Sequence, residues 1–185
     1  MENDTDQCIA TLQNAVSECK SEWIALSGGL DSSILAHLRK DQKPQAITII
    51  TKDFLGTDLT FAQIVAKHTR LNLSLMQVTM EEVLDSINET IKILDNFNDI
   101  EIRNSIVPHL YLSSLKKKGV DSVITGDGAD EIFAGYNFLL KKSNDKLDDE
   151  LERIKKIMHF PSKDIAKSLN MKVENPFLNE NVIKF

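Results

Sequence analysis

Short apolar runs alternate along this chain with longer segments in which apolar residues recur every three or four positions. The run at residues 46–51 is rich in β-branched residues, which favours a buried strand, and we predict strands for the other short runs as well. The short runs lie at residues 23–26, 46–51, 71–78 and 120–125. The longer segments have the spacing of amphipathic helices. They lie at residues 7–20, 32–40, 58–69, 81–94 and 104–118. This alternation predicts an α/β fold with a doubly wound, mainly parallel sheet and helices on both faces.

After residue 136 the sequence becomes more charged. The expected elements are a helix, a shorter helix and a turn, at residues 139–158, 162–169 and 175–178. We interpret the whole chain as a single domain, with a core at about residues 7–136 and a C-terminal helical extension at about residues 137–185. We expect Pro108 in the first turn of the long helix, where proline is tolerated.

Composition narrows the classes of function. The formal net charge is −6, which argues against non-specific binding to a nucleic acid backbone. The sequence has no apolar run long enough to span a bilayer and no signal-peptide pattern, so we expect no membrane partner. Cys8 and Cys19 form neither a disulfide framework nor a metal-ligand pattern, which fits a reducing cytoplasm.

The most informative segment is residues 27–33, the first motif, which reads Ser-Gly-Gly-Leu-Asp-Ser-Ser and joins a predicted strand to a helix. Such a turn directs backbone N–H groups and the positive end of the helix at one point, which favours an anion such as pyrophosphate. Gly28 and Gly29 allow the main chain to approach a phosphate closely. Asp31 places a carboxylate where a phosphate-bound Mg²⁺ would lie. The pattern also fits an ordinary turn with a capping residue.

The second motif, residues 126–136, follows the fourth predicted strand and reads Gly-Asp-Gly-Ala-Asp-Glu-Ile-Phe-Ala-Gly-Tyr. Its carboxylates at Asp127, Asp130 and Glu131 are crowded, and they repel one another unless they share a cation or a proton. Alone, the motif also fits an exposed acidic turn that caps a helix. Because both motifs follow the carboxyl ends of parallel strands, we expect them to meet over one site.

Together the two motifs closely resemble the synthetase domain of glutamine-dependent asparagine synthetases, which belong to the PP-loop ATP pyrophosphatases. That family carries an S-G-G-L-D-S-S loop and, after a later strand, the pattern G-[E/D]-G-[A/S/G]-D-E-[L/V/I]-F-x-G-Y. Shorter matches agree in order at Ile102-Arg103, Gly119-Val120 and Pro176-Phe177-Leu178. The resemblance therefore extends over residues 23–178, and it implies that the chain is a single PP-loop synthetase-like domain.

The resemblance implies an ATP-dependent ligase that adenylates a carboxylate, releases pyrophosphate and then forms an amide with ammonia, which displaces AMP. It implies that Asp31 and Asp130 bind Mg²⁺. It also implies that Asp31 and Asp127 are catalytic, with Asp127 either orienting the acyl adenylate or accepting a proton from ammonia. The residues implied to bind ATP and pyrophosphate are Leu26, Ser27, Gly28, Gly29, Asp31, Ser32, Ser33, Thr51 and Gly126.

The partners follow from the same resemblance. The carboxylate substrate is aspartate by family default, and the cofactors are ATP and Mg²⁺. No glutaminase domain precedes the first motif, so we expect nitrogen as ammonia, either free or from a separate glutaminase subunit. The family brings a lysine from a later helix to the pyrophosphate, whereas this sequence ends at Phe185. The alternative hypothesis is a non-catalytic ATP- or AMP-binding homologue that acts as a regulatory or assembly subunit. A homo-oligomer also stays open, because apolar helix faces fit an interface as well as a core.

Overall fold

A computed structural model describes residues 2–51 and 57–185. Within these ranges, parallel strands form one sheet in the order β3-β2-β1-β4-β5. The strands are Trp23–Ala25 (β1), Gln45–Thr51 (β2), Asn72–Val78 (β3), Ser122–Ile124 (β4) and Lys172–Glu174 (β5). The α-helices are Glu2–Glu18 (α1), Leu30–Arg39 (α2), Thr57–Thr69 (α3), Met80–Leu94 (α4), Asp99–Lys117 (α5), Ala129–Ile132 (α6), Asn144–Ile157 (α7), Pro161–Ser168 (α8) and Glu180–Ile183 (α9). No helix in these ranges is long and apolar enough to cross a membrane.

Helices cover both faces of the sheet, which confirms the predicted doubly wound α/β fold. On one face, a buried cluster joins α1, α2 and α9 to the central strands. Its members include Val16, Ile24, Leu35, Ile124 and Val182. On the other face, α5 and α8 cover the sheet through a second cluster. Its members include Ile47, Leu112, Leu115, Val123 and Ile165. Burial of these apolar side chains is the main term that holds the layers together.

The order of the strands positions the site. The chain leaves β1 towards β2 and β3 on one side, and it later returns to add β4 and β5 on the other side. β1 and β4 are neighbours, with Ile24 opposite Ile124. The change of direction lies between them, and the carboxyl ends of strands at such a point border a crevice. The first motif follows β1 and the second follows β4, so the topology brings both motifs to this crevice.

The C-terminal segment contains a strand that the sequence pattern did not predict. β5 is three residues long and pairs with β4, with Val173 opposite Val123. Between Lys172 and Glu174, a single apolar side chain gives no alternation that could be recognised. The expected helical extension therefore also completes one edge of the sheet.

Glu174 ties this edge to the N-terminal part of the chain. Glu174 is 8% exposed, and its Oε2 accepts hydrogen bonds from the N–H groups of Lys20 at 2.8 Å and Ser21 at 3.0 Å. The hydroxyl of Ser21 donates to the carbonyl of Ser122 in β4 at 2.7 Å. Hydrogen bonds of this kind are what make a buried carboxylate tolerable. The sheet edge and the segment before β1 are thus one hydrogen-bonded unit.

Pro108 lies in the interior of α5, so the expectation of a first-turn position was wrong. The helix begins at Asp99 because the side chain of Asn98 caps it, accepting from the N–H groups of Ile100 at 3.0 Å and Glu101 at 3.3 Å. Proline removes one helical hydrogen bond. Packing of α5 against α4 and α8 carries the helix through this position.

The contacts of His109 between α4 and α5 predict that the protein loses stability at acidic pH. Its Nδ1 lies 3.0 Å from the Oγ of Ser86, which itself donates to the Ile106 carbonyl at 3.2 Å. The neutral ring can therefore donate from Nδ1 to this hydroxyl. Burial lowers the pKa of His109 from its usual 6.5, so the folded state disfavours the charged ring.

The stabilising contribution of neutral His109 is therefore complete above the unfolded pKa of 6.5 and is lost as the pH falls below it. We expect urea unfolding at about pH 7.5 and about pH 5.5 to give a smaller difference in free energy for His109→Gln than for the wild type. His68→Gln, at an exposed position on α3, is the control and should keep the wild-type difference. An unchanged difference in His109→Gln would contradict this contribution of His109.

Candidate active site

The first motif forms a compact turn at the start of α2. Gly28 has φ +85°, a left-handed conformation that glycine adopts without strain. Gly29 is the N-cap of α2, and no side chain caps the helix there. The Oγ of Ser27 lies 3.0 Å from that of Ser32 and accepts from the N–H of Gly29 at 3.2 Å. An uncapped helix start surrounded by hydroxyl groups is suited to an anion.

The second motif turns sharply after β4. Gly128 has φ +98° and precedes the short helix α6. A Cβ at Gly128 would lie 2.3 Å from Cδ2 of Leu178, so the C-terminal segment packs directly on this turn. A Cβ at Gly135 would lie 1.9 Å from Oδ1 of Asp130. Glycine at these two positions therefore fixes where the turn and the Asp130 carboxylate lie.

The two motifs are in contact. A Cβ placed on Gly126 would lie 3.1 Å from the Cβ of Asp31 and 3.4 Å from the backbone nitrogen of Ser32. The expectation that they meet over one site is confirmed by this approach. Between them and the helices α5 and α8 lies a cavity of about 470 Å³, which we call the polar cavity because carboxylates and hydroxyls of both motifs line it. From the two motifs its lining includes Ser27, Gly29, Asp31, Ser32, Gly126, Asp127, Gly128, Asp130 and Glu131.

An apolar cavity of about 390 Å³ lies beside the polar one. The two cavities share lining residues, including Ser27 and Tyr111. Leu26 and Thr51, both expected at the nucleotide, line the apolar cavity with residues of β2. A polar cavity that continues into an apolar one has the two environments that a phosphorylated ligand with an aromatic ring requires.

Two of the residues expected to bind ATP and pyrophosphate line neither of these cavities. Gly28 forms the turn itself, and Ser33 lies at a groove between α1 and α2. The hydroxyl of Ser33 donates to the carbonyl of Gly29 at 2.7 Å, which stabilises the first turn of α2. In the described structure, then, Ser33 supports the turn.

Burial, together with repulsion between carboxylates, raises the pKa of Asp31. Burial is the largest cause, and the charges of Asp130 and Glu131 act in the same direction. The pKa of Tyr136 is also raised, first by burial and then by the hydrogen bond that its hydroxyl donates to Glu131 at 2.5 Å. The carboxylates of both motifs thus repel one another electrostatically, and a cation placed among them would be stabilised.

The residues fit a magnesium ion only in combination with a ligand. Across the described residues, no three His, Cys, Asp or Glu side chains are grouped so that they could hold a metal ion. Asp31 and Asp130 line the same cavity and interact electrostatically. Mg²⁺ in nucleotide sites is usually held by one or two carboxylates together with substrate phosphates and water. This pair of carboxylates matches that pattern.

The C-terminal segment supplies site residues that the sequence did not reveal. Oδ2 of Asp127 accepts hydrogen bonds from the hydroxyls of Thr125 at 2.8 Å and Ser162 at 2.5 Å, and from Nδ2 of Asn175 at 3.3 Å. Asn175 also donates to Oγ1 of Thr125 at 2.7 Å. Ser162 lies in α8 with no motif around it. For Asn175, its place before Pro-Phe-Leu was the one available signal.

The doubly wound sheet, with an uncapped helix start and clustered carboxylates at its carboxyl edge, defines an α/β domain with a candidate ligand site at the switch in strand order. The sequence model of the asparagine synthase family matches residues 12–182. The chain therefore belongs to the asparagine synthase family.

Named relatives are glutamine-hydrolysing enzymes that are much longer than this chain. Asparagine synthetase B of Escherichia coli (strain K12) is 31% identical over 159 residues, covering 78% of this chain and 28% of the relative. Asparagine synthetase 3 of Arabidopsis thaliana is 32% identical over 135 residues, covering 66% of this chain and 23% of the relative. This chain thus spans about a quarter of their length. Among solved structures, an NH3-dependent NAD synthetase from Campylobacter jejuni aligns with a TM-score of 0.49 and 18% identity, covering 91% of this chain and 92% of that one.

The contact between Gly128 and Leu178 predicts a large loss of stability on substitution. Gly128→Ala adds a strained left-handed residue and an overlap with Leu178, so we expect a cost of about 2–5 kcal/mol in urea unfolding. The same substitution made in a Leu178→Ala background should cost less, because the overlap is then removed. Equal costs in the two backgrounds would show that the packing of Leu178 on the turn is not as described.

Proposed function

We propose that this chain is a synthetase domain that uses ATP to activate a carboxylate and transfers the acyl group to ammonia, giving an amide, AMP and pyrophosphate. The close approach of Gly126 to Asp31 carries the proposal, because it joins the two motifs in one polar cavity. Membership of the asparagine synthase family supports the class of reaction. Aspartate is the proposed carboxylate substrate.

The polyphosphate of ATP is assigned to the polar cavity. The uncapped start of α2 and the hydroxyls of Ser27 and Ser32 would bind the pyrophosphate portion. Asp31 and Asp130 would hold Mg²⁺, which supplies positive charge to the departing pyrophosphate. The apolar cavity lined by Leu26 and Thr51 would take the adenosine portion. One ATP molecule could fill both cavities because they adjoin, with Ser27 and Tyr111 lining each of them.

The reaction balances in two displacements. An oxygen of the carboxylate attacks the α-phosphorus of ATP, and the bond to the bridging oxygen of the β-phosphate breaks, so pyrophosphate leaves. The nitrogen of ammonia then attacks the acyl carbon, the bond to the AMP oxygen breaks, and one proton leaves the nitrogen. Asp127 is the proposed acceptor of that proton, because its carboxylate lines the cavity and is held in place by hydrogen bonds. The protein contributes mainly orientation and electrostatics.

The composition of the cavity favours a second candidate function. Among the described residues that line the polar cavity there is no lysine or arginine, and His159 is the single basic side chain. A homologue that binds ATP or AMP without turnover, as a regulatory or assembly subunit, releases no pyrophosphate and therefore needs fewer positive charges in the cavity. Ammonia, free or from a separate glutaminase subunit, is the nitrogen donor in the first proposal only.

Pyrophosphate release separates the two functions. Purified protein is supplied with ATP, Mg²⁺, ammonium chloride and each of a panel of amino acids, and pyrophosphate and AMP are quantified together. The ligase proposal expects equal amounts of both products, and amide in the same amount, with one amino acid. Binding of ATP by calorimetry without any pyrophosphate would support the non-catalytic function. Absence of both binding and turnover would contradict both proposals.

A further inference from the structure

Asp127 is held from one side only. Its Oδ2 accepts hydrogen bonds from Thr125, Ser162 and Asn175 at 2.8, 2.5 and 3.3 Å. Within the described part of the chain, its Oδ1 accepts no hydrogen bond. Because each donor directs its proton at Oδ2, that oxygen is saturated as an acceptor. Contact between this carboxylate and a ligand in the cavity is left to Oδ1.

The donors come from separate parts of the fold. Thr125 follows β4, Ser162 lies in the first turn of α8, and Asn175 follows β5. Ser162 is 4% exposed and Thr125 is 3% exposed, so their hydroxyls are shielded from competing water. Hydrogen bonds to a charged acceptor in such surroundings are among the stronger ones in proteins. Three elements thus converge on a single oxygen atom.

We propose that Ser162 and Asn175 are positioning residues, which hold Asp127 by Oδ2 so that Oδ1 is presented to the reacting group in the polar cavity. The inference rests on the proposed function, because the reacting group is the attacking ammonia or the acyl adenylate. Neither residue is assigned a contact with substrate; each acts through Asp127. Their loss would let the Asp127 side chain rotate while the ATP-binding residues of the first motif stay in place.

The test compares Ser162→Ala and Asn175→Ala with the control Ser168→Ala. Ser168 lies at the other end of α8 and donates to the carbonyl of Ile165 at 2.7 Å, so it matches Ser162 in residue type and helix but not in role. For each of the two positioning variants we expect kcat for amide formation to fall by about 10- to 100-fold. The KM for ATP should change by less than about 3-fold, because the residues that bind ATP stay in place. Ser168→Ala should match the wild type in both constants.

A second readout does not depend on turnover. The ¹³Cγ resonance of Asp127, assigned by comparison with Asp127→Asn, should move in Ser162→Ala and Asn175→Ala and stay in place in Ser168→Ala. If the wild type forms no amide, the proposed function fails, and this resonance alone decides whether Asp127 is held as described. An unmoved resonance would overturn the positioning role, as would a fall in kcat that Ser168→Ala shares.

Discussion

Replacing Asp31 with asparagine is expected to abolish pyrophosphate release and at the same time to stabilise the ligand-free protein. The carboxylate is assigned to the Mg²⁺ that would accompany the departing pyrophosphate, and loss of one such electrostatic contact costs about 10²–10³-fold in kcat. The amide of asparagine keeps the size of the side chain and removes its charge. The measurement is pyrophosphate release in the presence of Mg²⁺, ammonia and the accepted amino acid.

The gain in stability follows from the raised pKa of Asp31, which burial causes first and the charges of Asp130 and Glu131 increase. A carboxyl group whose folded pKa lies above its unfolded pKa stabilises the fold only while it is protonated, and that contribution is lost as the pH rises. At neutral pH the charge therefore weakens the fold. Because Asp31 is partly solvated, we expect the Tm of Asp31→Asn to rise by no more than about 4 °C in EDTA.

The matched control is Asp85→Asn, at an exposed position on α4. It removes one carboxylate of the same type and should change neither pyrophosphate release nor Tm in EDTA. Addition of Mg²⁺ with ATP should raise the Tm of the wild type more than that of Asp31→Asn, since binding to the folded state stabilises it. Full activity in Asp31→Asn would remove Asp31 from the proposed machinery.

Gly135→Ala is expected to inactivate the domain through one added methyl group. A Cβ at Gly135 would lie 1.9 Å from Oδ1 and 2.8 Å from Cγ of Asp130. The N–H of Gly135 also donates to the carbonyl of Asp130 at 3.0 Å, so the two residues cannot easily separate. The carboxylate must therefore rotate away from its present position. We expect pyrophosphate release to fall by about 10²-fold, the effect of misplacing a reacting group by roughly 1 Å.

Gly119→Ala is the control for an added methyl group without a neighbour. Gly119 has φ +78°, and among the described residues no atom beyond its two chain neighbours lies within 4 Å of its added Cβ. Strain alone should cost about 1–2 kcal/mol in urea unfolding and leave pyrophosphate release unchanged. Gly135→Ala should therefore lose activity, whereas Gly119→Ala should lose stability and keep its activity. Loss of stability alone in Gly135→Ala would contradict the role of Asp130.

The sequence predicted the framework of the site but not its supports. Apolar residues such as Ile47 in a strand and Leu112 in a helix recur with the spacing of their elements, which predicts the strands and helices. The parallel topology then places both motifs at the carboxyl edge of the sheet. Asp31 and Asp130 were found because they lie in short contiguous motifs. Their assignment to Mg²⁺ stays a prediction.

The supports could not be predicted because they depend on tertiary contacts between distant positions. Ser162 reaches Asp127 across 35 residues and Asn175 across 48 residues, and neither lies in a pattern that implies the other. The same holds for Pro108, because the start of α5 is decided by the Asn98 cap rather than by the proline. β5 is too short for its burial pattern to be recognised.

The late position of β5 has a consequence for synthesis on the ribosome. Glu174 closes the sheet edge onto Lys20 and Ser21, and Asn175 beside it completes the hydrogen bonds of Asp127. Chains emerge from their N-terminus and begin to fold as they do so. Both motifs have therefore left the ribosome while the strand that closes the sheet is still inside the exit tunnel. A nascent chain can display its phosphate-binding turn early, but the order of translation delays a complete site until Asn175 has emerged.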